Sequence, residues 1–402
     1  MAMPERPNLH LSVALDGAGW HPAAWRADGA RPAELFSPGY WVELAQEAER
    51  GLLDFVTFDD SLSLQWLRRG VPDDRTDQVR GRLDAVMVAA RVAPATSSIG
   101  LVPVVTTTHV EPFHASKAIA TLDYVSHGRA GFQARISGTA LEAGLFGRRE
   151  IADRSEAERA SGAATTGVSD LFDEAADFVE VVRRLWDSWE DDAEIRDVAT
   201  GRFVDRDKLH YIDFEGRWFS VKGPSITPRP PQGQPLVTAL AHVPVAFALA
   251  ARGADVVFVT PDSTARAGEL VATIRDTERA VGREGPPLRV FADLVVFLDT
   301  DVRAAEARKE HLDELFGKTY RSDALVFVGT PADLADLLPE WRAQGIEGFR
   351  LRPGAIPHDL EGVTRRLVTL LQERGLFRQR YEDTDLRGRM GLSRPQNRYV
   401  SA

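Results

Sequence analysis

The chain has 402 residues, 44% hydrophobic and 27% charged, with a formal net charge of −11. This is enough apolar material for a large core, and the acidic balance argues against a nucleic-acid binder, which needs basic groups to displace counterions. The absence of cysteine excludes disulfides, thiolate metal sites and a cysteine nucleophile.

The N-terminus, MAMPERPNLHLSVAL, has no positively charged start followed by an apolar run, and no stretch of 18 apolar residues occurs. A cytoplasmic protein is expected. Leu9 to Leu15 alternates and runs into Asp16-Gly17, which predicts a first strand. Tyr40 to Arg50 carries Val42, Ala45 and Ala48 at helical spacing, with Ser37-Pro38 as the expected cap and first-turn proline. Asp54 to Phe58 reads as a second strand ending at Asp59-Asp60. Asp84 to Val92 reads as a helix. Ile99 to Val105 reads as a third strand in which Pro103 is expected to mark the end or a bulge, because proline is disfavoured inside a central strand.

Pro112 to Val125 is the next predicted helix. His127-Gly128 ends it, with Gly128 suited to a left-handed position, and a fourth strand follows that contains Arg135. Gly138 to Gly167 has weak periodicity and is expected to be an insertion or lid. Leu171 to Trp186 has one strongly apolar face and reads as a helix. Asp187 to Gln234 is irregular, with a small strand expected at Gly216 to Val221. Regular alternation then resumes. Strands are expected at Pro235 to Ala239, Asp255 to Val259, Leu288 to Leu298 and Gly348 to Leu351. Helices are expected at Val245 to Arg252, Ala265 to Val281, Val302 to Phe316, Leu334 to Gln344 and Leu360 to Arg374. Eight strands alternating with helices predict an α/β fold, a (β/α)8 TIM barrel with insertions after strand 4 and before strand 5. An open doubly wound sheet fits the pattern as well.

In a barrel, chemistry collects at the C-terminal ends of the strands. On that basis the chain offers His10, Asp59-Asp60, Val104 to His109, Arg135, Ser137, Leu240 to Val243 and Arg352. Asp60 suits an acid or a ligand-orienting carboxylate, or alternatively the cap of the next helix. Arg135 is a charge inside a strand and must be paired: either to Asp59, Asp60 or Glu111, or to a phosphate or carboxylate ligand. His10 and His109 are the histidines with a possible catalytic role. No HExxH, GxGxxG, Walker or GxSxG pattern occurs, so a zinc site is not expected.

Several segments match one family: Ala24-Trp25-Arg26, Asp54 to Leu62, Gly100 to Pro112, Leu122 to Phe132, FVEVVRRLWDSWEDD from Phe178, GPSITPRPPQG from Gly223, Val328 to Pro331, and the tail GLFRQRYEDTDLRGRMGLSRPQNR. The chain resembles the bacterial-luciferase-like flavin-dependent monooxygenases, in the subgroup of nitrilotriacetate and dibenzothiophene-sulfone monooxygenases. The resemblance implies one barrel domain. It implies reduced FMN supplied by a separate flavin reductase, O2 as oxidant, a small organic substrate, and a homodimer or homotetramer. Asp60 coincides with the family's flavin-contacting aspartate. Val104 stands where a flavin-contacting Thr is usual, in a region where relatives carry an unusual cis peptide. Val168 and Phe172 replace a His and Tyr, and His242-Val243 replaces a Ser pair that helps bind phosphate. Cofactor contacts are thus expected at Asp60, Val104, Arg135, Ser137, Phe172, His242 and Val243, with His242 or Arg135 as the anion partner. The altered positions leave a second expectation open, a diverged barrel that binds flavin or another small ligand without oxygenase activity.

Overall fold

The computed structural model describes residues 9–66, 71–152 and 166–400. Its first four strands are β1 (His10–Leu15), β2 (Phe55–Phe58), β3 (Gly100–Thr106) and β4 (Gly131–Arg135). Two small antiparallel hairpins follow, β5 (Glu194–Asp197) with β6 (Arg202–Val204) and β7 (Phe214–Glu215) with β8 (Ser220–Val221). The remaining strands are β9 (Leu236–Leu240), β10 (Val256–Val259), β11 (Arg289–Leu298), β12 (Leu325–Gly329) and β13 (Gly348–Pro353). Parallel pairing runs β1-β2-β3-β4-β9-β10-β11-β13 and closes from β13 back to β1. This is a closed eight-stranded TIM barrel, and the open sheet is excluded.

The ninth parallel strand, β12, was not expected. β11 is ten residues long. Its lower half, Arg289–Ala292, pairs with β10, and its upper half, Leu294–Leu298, pairs with β12. β12 therefore fills the gap that opens between β10 and β11 toward the mouth.

Alternation along the strands separates two apolar layers. Leu11, Val13, Val56, Phe58, Phe132, Ala134, Val237, Val257, Phe349 and Leu351 join the outer core under the helices. Phe55, Val102, Leu236, Val256, Phe258 and Phe291 face inward and meet Leu386, Met390 and Leu392 of the tail. The tail thus plugs the floor of the barrel.

Pro103 does not end β3. It lies within the strand, paired with Phe58 of β2. The missing N–H is absorbed on the β4 side, where the ladder is interrupted between Leu101–Ala130 and Val104–Gln133. The cis peptides are Gly223-Pro224 and Ile356-Pro357, so the bonds flanking Val104 are trans. Ser37 makes no side-chain cap on the helix Pro38–Arg50.

The joint between the helix Pro112–Val125 and β4 has both His127 and Gly128 in the left-handed region. Arg129, 2% exposed, follows it and donates to the carbonyls of Ala93, Thr96, Ile99 and Ser126 and to the hydroxyl of Thr96. It ties the stretch 93–99 to the helix end at Ser126 beneath the barrel. Of the segment 138–167 expected as a lid, residues 153–165 lie outside the described residues. Its visible part includes the helix Ala140–Phe146. No helix among the described residues is long and apolar enough to cross a membrane.

Candidate active site at the barrel mouth

Above the apolar floor the barrel interior turns polar, because the inward positions of successive strands are Ser12, Thr57, Gln133, Thr238, Asp293 and Arg350. The buried carboxylate of Asp293 receives Arg350 at 2.8 Å and also Arg352. Arg350 reaches on to Gln133 and stacks over Phe258, 3.6 Å from the ring centre. Arg352 continues to Asp323 at 2.7 Å, and Asp323 faces His242 at 3.4 Å. Burial alone would raise the Asp323 carboxyl, but His242 and Arg352 hold it far below the usual carboxylate range. A chain of paired charges therefore runs from the centre of the barrel to its rim. Each member is neutralised by a neighbour, which is what such burial requires.

A second network closes the β1–β2–β4 side. Arg82 donates to Asp16 at 2.7 Å and to Asp59 at 2.8 Å, and Arg135 donates to Asp59 at 3.1 Å and to the Asp60 carbonyl. Arg135 thus has Asp59 as its ion-pair partner through Nη1, the pairing within the protein that the sequence left open. Burial raises Asp59, but Arg135 and Arg82 more than compensate and keep it ionised.

Asp60, at the C-terminal end of β2, accepts from the Ser61 N–H at 2.7 Å and the Ala85 N–H at 3.4 Å. Ala85 opens the helix Ala85–Val92, whose side-chain cap is Asp84. Burial pushes the Asp60 carboxyl up to about 6 against these two donors. It is a group that can hold or release a proton near neutrality.

The other expected site residues divide. Val104 is buried on the inward face of β3, opposite Gln133. Ser137 is buried, with its hydroxyl on Glu142 and its N–H on Thr108. His242 is part-exposed at the end of β9 and its Nδ1 lies 3.0 Å from Thr260 Oγ1. Val243 precedes the helix Pro244–Gly253, which has no side-chain cap. Phe172 packs against the outer core from the helix Thr166–Asp187. His109 follows β3, stacks on Phe146 at 4.7 Å, and has a buried Nε2 without a hydrogen-bond partner. Burial and then Arg149 lower its pKa.

His10 is misplaced in the sequence reading. All barrel strands run from floor to mouth, and His10 is the first residue of β1, so it lies at the floor. There its Nδ1 meets the Asp54 carboxylate at 3.1 Å, which Arg378 also grips. It belongs to the scaffold that anchors the tail. The sequence reading also missed Asp16, Arg82, Asp293 and Arg350. The alternating arginines of FRLRP, Arg350 and Arg352, were the available signal, since two charges at period two point into the same interior.

A closed barrel with a polar, charge-balanced mouth and an uncapped helix start beside His242 defines an enzyme site of the TIM-barrel kind. The luciferase-like monooxygenase family model matches residues 19–324, and the chain belongs to that family. N-acetyl-S-(2-succino)cysteine monooxygenase of Bacillus subtilis (strain 168) is 30% identical over 98% of this chain and 99% of its own. Nitrilotriacetate monooxygenase component A of Aminobacter aminovorans is 29% identical over 97% of both. The fold is also that of a long-chain alkane monooxygenase crystal structure, with a TM-score of 0.82 at 22% identity over 96% of each chain. The chain is thus a luciferase-like monooxygenase. These relatives are named as monooxygenases and lend no support to a barrel without oxygenase activity.

Proposed function

We propose that the chain is the oxygenase component of a two-component system. It takes reduced FMN from a separate flavin reductase and uses O2 to oxygenate a small organic substrate, working as a cytoplasmic homo-oligomer. The observation that carries the reading is near end-to-end similarity to a relative named as component A of a monooxygenase, joined to a mouth whose donors suit a flavin phosphate. The uncapped N-terminus of Pro244–Gly253 next to His242 offers backbone N–H groups and an imidazole to an anion. Asp60, Val104, Phe172 and Val243 would frame the rest of the cofactor.

When bound, the flavin supplies the oxygen chemistry. The protein's tasks are to orient the flavin, exclude water and manage protons. Arg82 and Arg135 hold the ends of β1, β2 and β4 together through Asp16 and Asp59, so the walls are fixed before the cofactor enters. Asp60 is the carboxyl placed to hold a proton there. The test mixes the protein anaerobically with photoreduced FMN, admits oxygen and follows the flavin absorbance. A transient absent from free FMN, followed by oxygenated product when substrate is present, is expected. Oxidation at the rate and with the spectrum of free FMN would overturn the reading.

A further inference from the structure

Four arginines converge on the barrel mouth, Arg82, Arg135, Arg350 and Arg352, and the charge of each reaches the carboxylate of Asp59. In three of them every guanidinium nitrogen is either bonded or sealed from the mouth. Arg82 gives Nη1 and Nη2 to Asp59 and Asp16, and its Nε is buried. Arg352 gives Nη1 and Nη2 to Asp323 and Asp293, and its Nε is buried too. Arg350 commits all three nitrogens to Asp293 and Gln133.

Arg135 differs. Its Nη1 is committed, to the Asp59 carboxylate at 3.1 Å and to the Asp60 carbonyl. Nε and Nη2 make no hydrogen bond among the described residues, and neither is sealed from solvent. The side chain keeps 23% of its surface exposed. Arg135 is the last residue of β4 and alternates with the outward Ala134, so its side chain points into the barrel. It reaches past β3 to the end of β2, so the exposed surface belongs to the mouth.

Nε and Nη2 share one edge of the planar guanidinium. Their N–H bonds run parallel and are spaced for the two oxygens of a carboxylate. Nη1, on the other side, fixes that edge in place. The order of charges points the same way. Asp16 pairs with Arg82, Arg82 with Asp59, and Asp59 with Arg135. Signs alternate along this chain, and it ends on a cation with an open edge. An anion there continues the alternation. Asp59 stays compensated, because Arg82 holds its other oxygen at 2.8 Å.

Building on the oxygenase reading, we propose that the Nε–Nη2 edge of Arg135 holds a carboxylate of the substrate, which is therefore an organic acid. The flavin phosphate has a separate seat in that reading, at the helix start beside His242.

The test is a ligand-observed NMR titration of the full chain with benzoate and with benzamide, its neutral isostere. Benzoate is expected to bind at least about tenfold tighter, as a charged bidentate pair requires. Arg135→Gln should bring benzoate down to the benzamide level, and Arg135→Lys, which keeps the charge and loses the fork, should fall between. Saturating FMN should leave benzoate bound, and the ratio of FMN to riboflavin affinity should be the same in Arg135→Gln as in the parent. Benzamide equal to benzoate, no saturable benzoate binding, a Lys variant equal to the parent, or benzoate indifferent to Arg135→Gln would each overturn the proposal. Displacement of benzoate by FMN but not by riboflavin, or loss of the FMN preference in Arg135→Gln, would overturn it by assigning the fork to the phosphate. If a variant fails to fold, the probe ranking and the FMN displacement on the unmodified chain still decide. Failure of flavin to bind at all would sink the oxygenase reading and leave the benzoate ranking standing, so the two failures are separable.

Discussion

Asp60→Asn separates the electrostatic state of the mouth from its shape. The carboxyl is raised from its ordinary value of 3.8 to about 6 by burial. That rise corresponds to roughly 3 kcal/mol at about 1.4 kcal/mol per pH unit. Screening of a part-exposed group reduces it to on the order of 1–2 kcal/mol. Below pH 3.8 the carboxyl is protonated folded and unfolded and costs nothing. Between 3.8 and about 6 the unfolded chain ionises first, so stability falls as pH rises, and above 6 the loss is complete. Asparagine stays neutral throughout, but one side-chain oxygen replaces two that serve the Ser61 and Ala85 N–H groups, a fixed cost of about 1 kcal/mol. The variant should therefore be less stable than the parent near pH 4 and equal to it or more stable at pH 7.5, read by urea denaturation across that range. A stability difference that does not change with pH would refute the argument.

Two other substitutions probe the scaffold. Arg129→Met strips the donors from five acceptors on two segments. A loss of about 3 kcal/mol or more is expected, by analogy with removing one partner of a buried charged network, seen as a lower urea midpoint. Leu386→Ala empties a fully buried position in the barrel floor and should cost about 2–5 kcal/mol. Flavin titrated at a temperature where the variant is folded should bind as to the parent, because the floor is at the opposite end from the mouth.

Element order and barrel count were legible because each βα unit carries its own period, strand then helix, with glycine or proline at the joints. β12 was not. Its stretch Leu325–Gly329 is apolar but half-buried, and its place depends on a gap that exists only once β10 and β11 diverge. Pro103 was read by a local rule, and the local rule lost to the barrel, which tolerated one broken ladder step between β3 and β4. Arg135 was rightly seen as a charge needing a partner, yet its partners lie 75 and 76 residues away, and no local pattern chooses between a carboxylate of the chain and a ligand. The error over His10 has a different origin. It came from treating a strand's first residue as if it stood at the strand's end.

The plug of the barrel floor has a consequence for how the molecule is made. Leu386, Met390 and Leu392 close against Phe55 of β2 and Val102 of β3, so two of the first barrel strands wait for a segment that is synthesised after every other strand of the barrel. A nascent chain emerging from the ribosome can order its helices and pair its first strands, but their inward apolar faces stay uncovered until the segment from Leu386 to Leu392 has emerged. Chaperone dependence should therefore concentrate in the interval before that segment emerges, and stalling the ribosome short of Leu386 should leave an open, aggregation-prone cylinder.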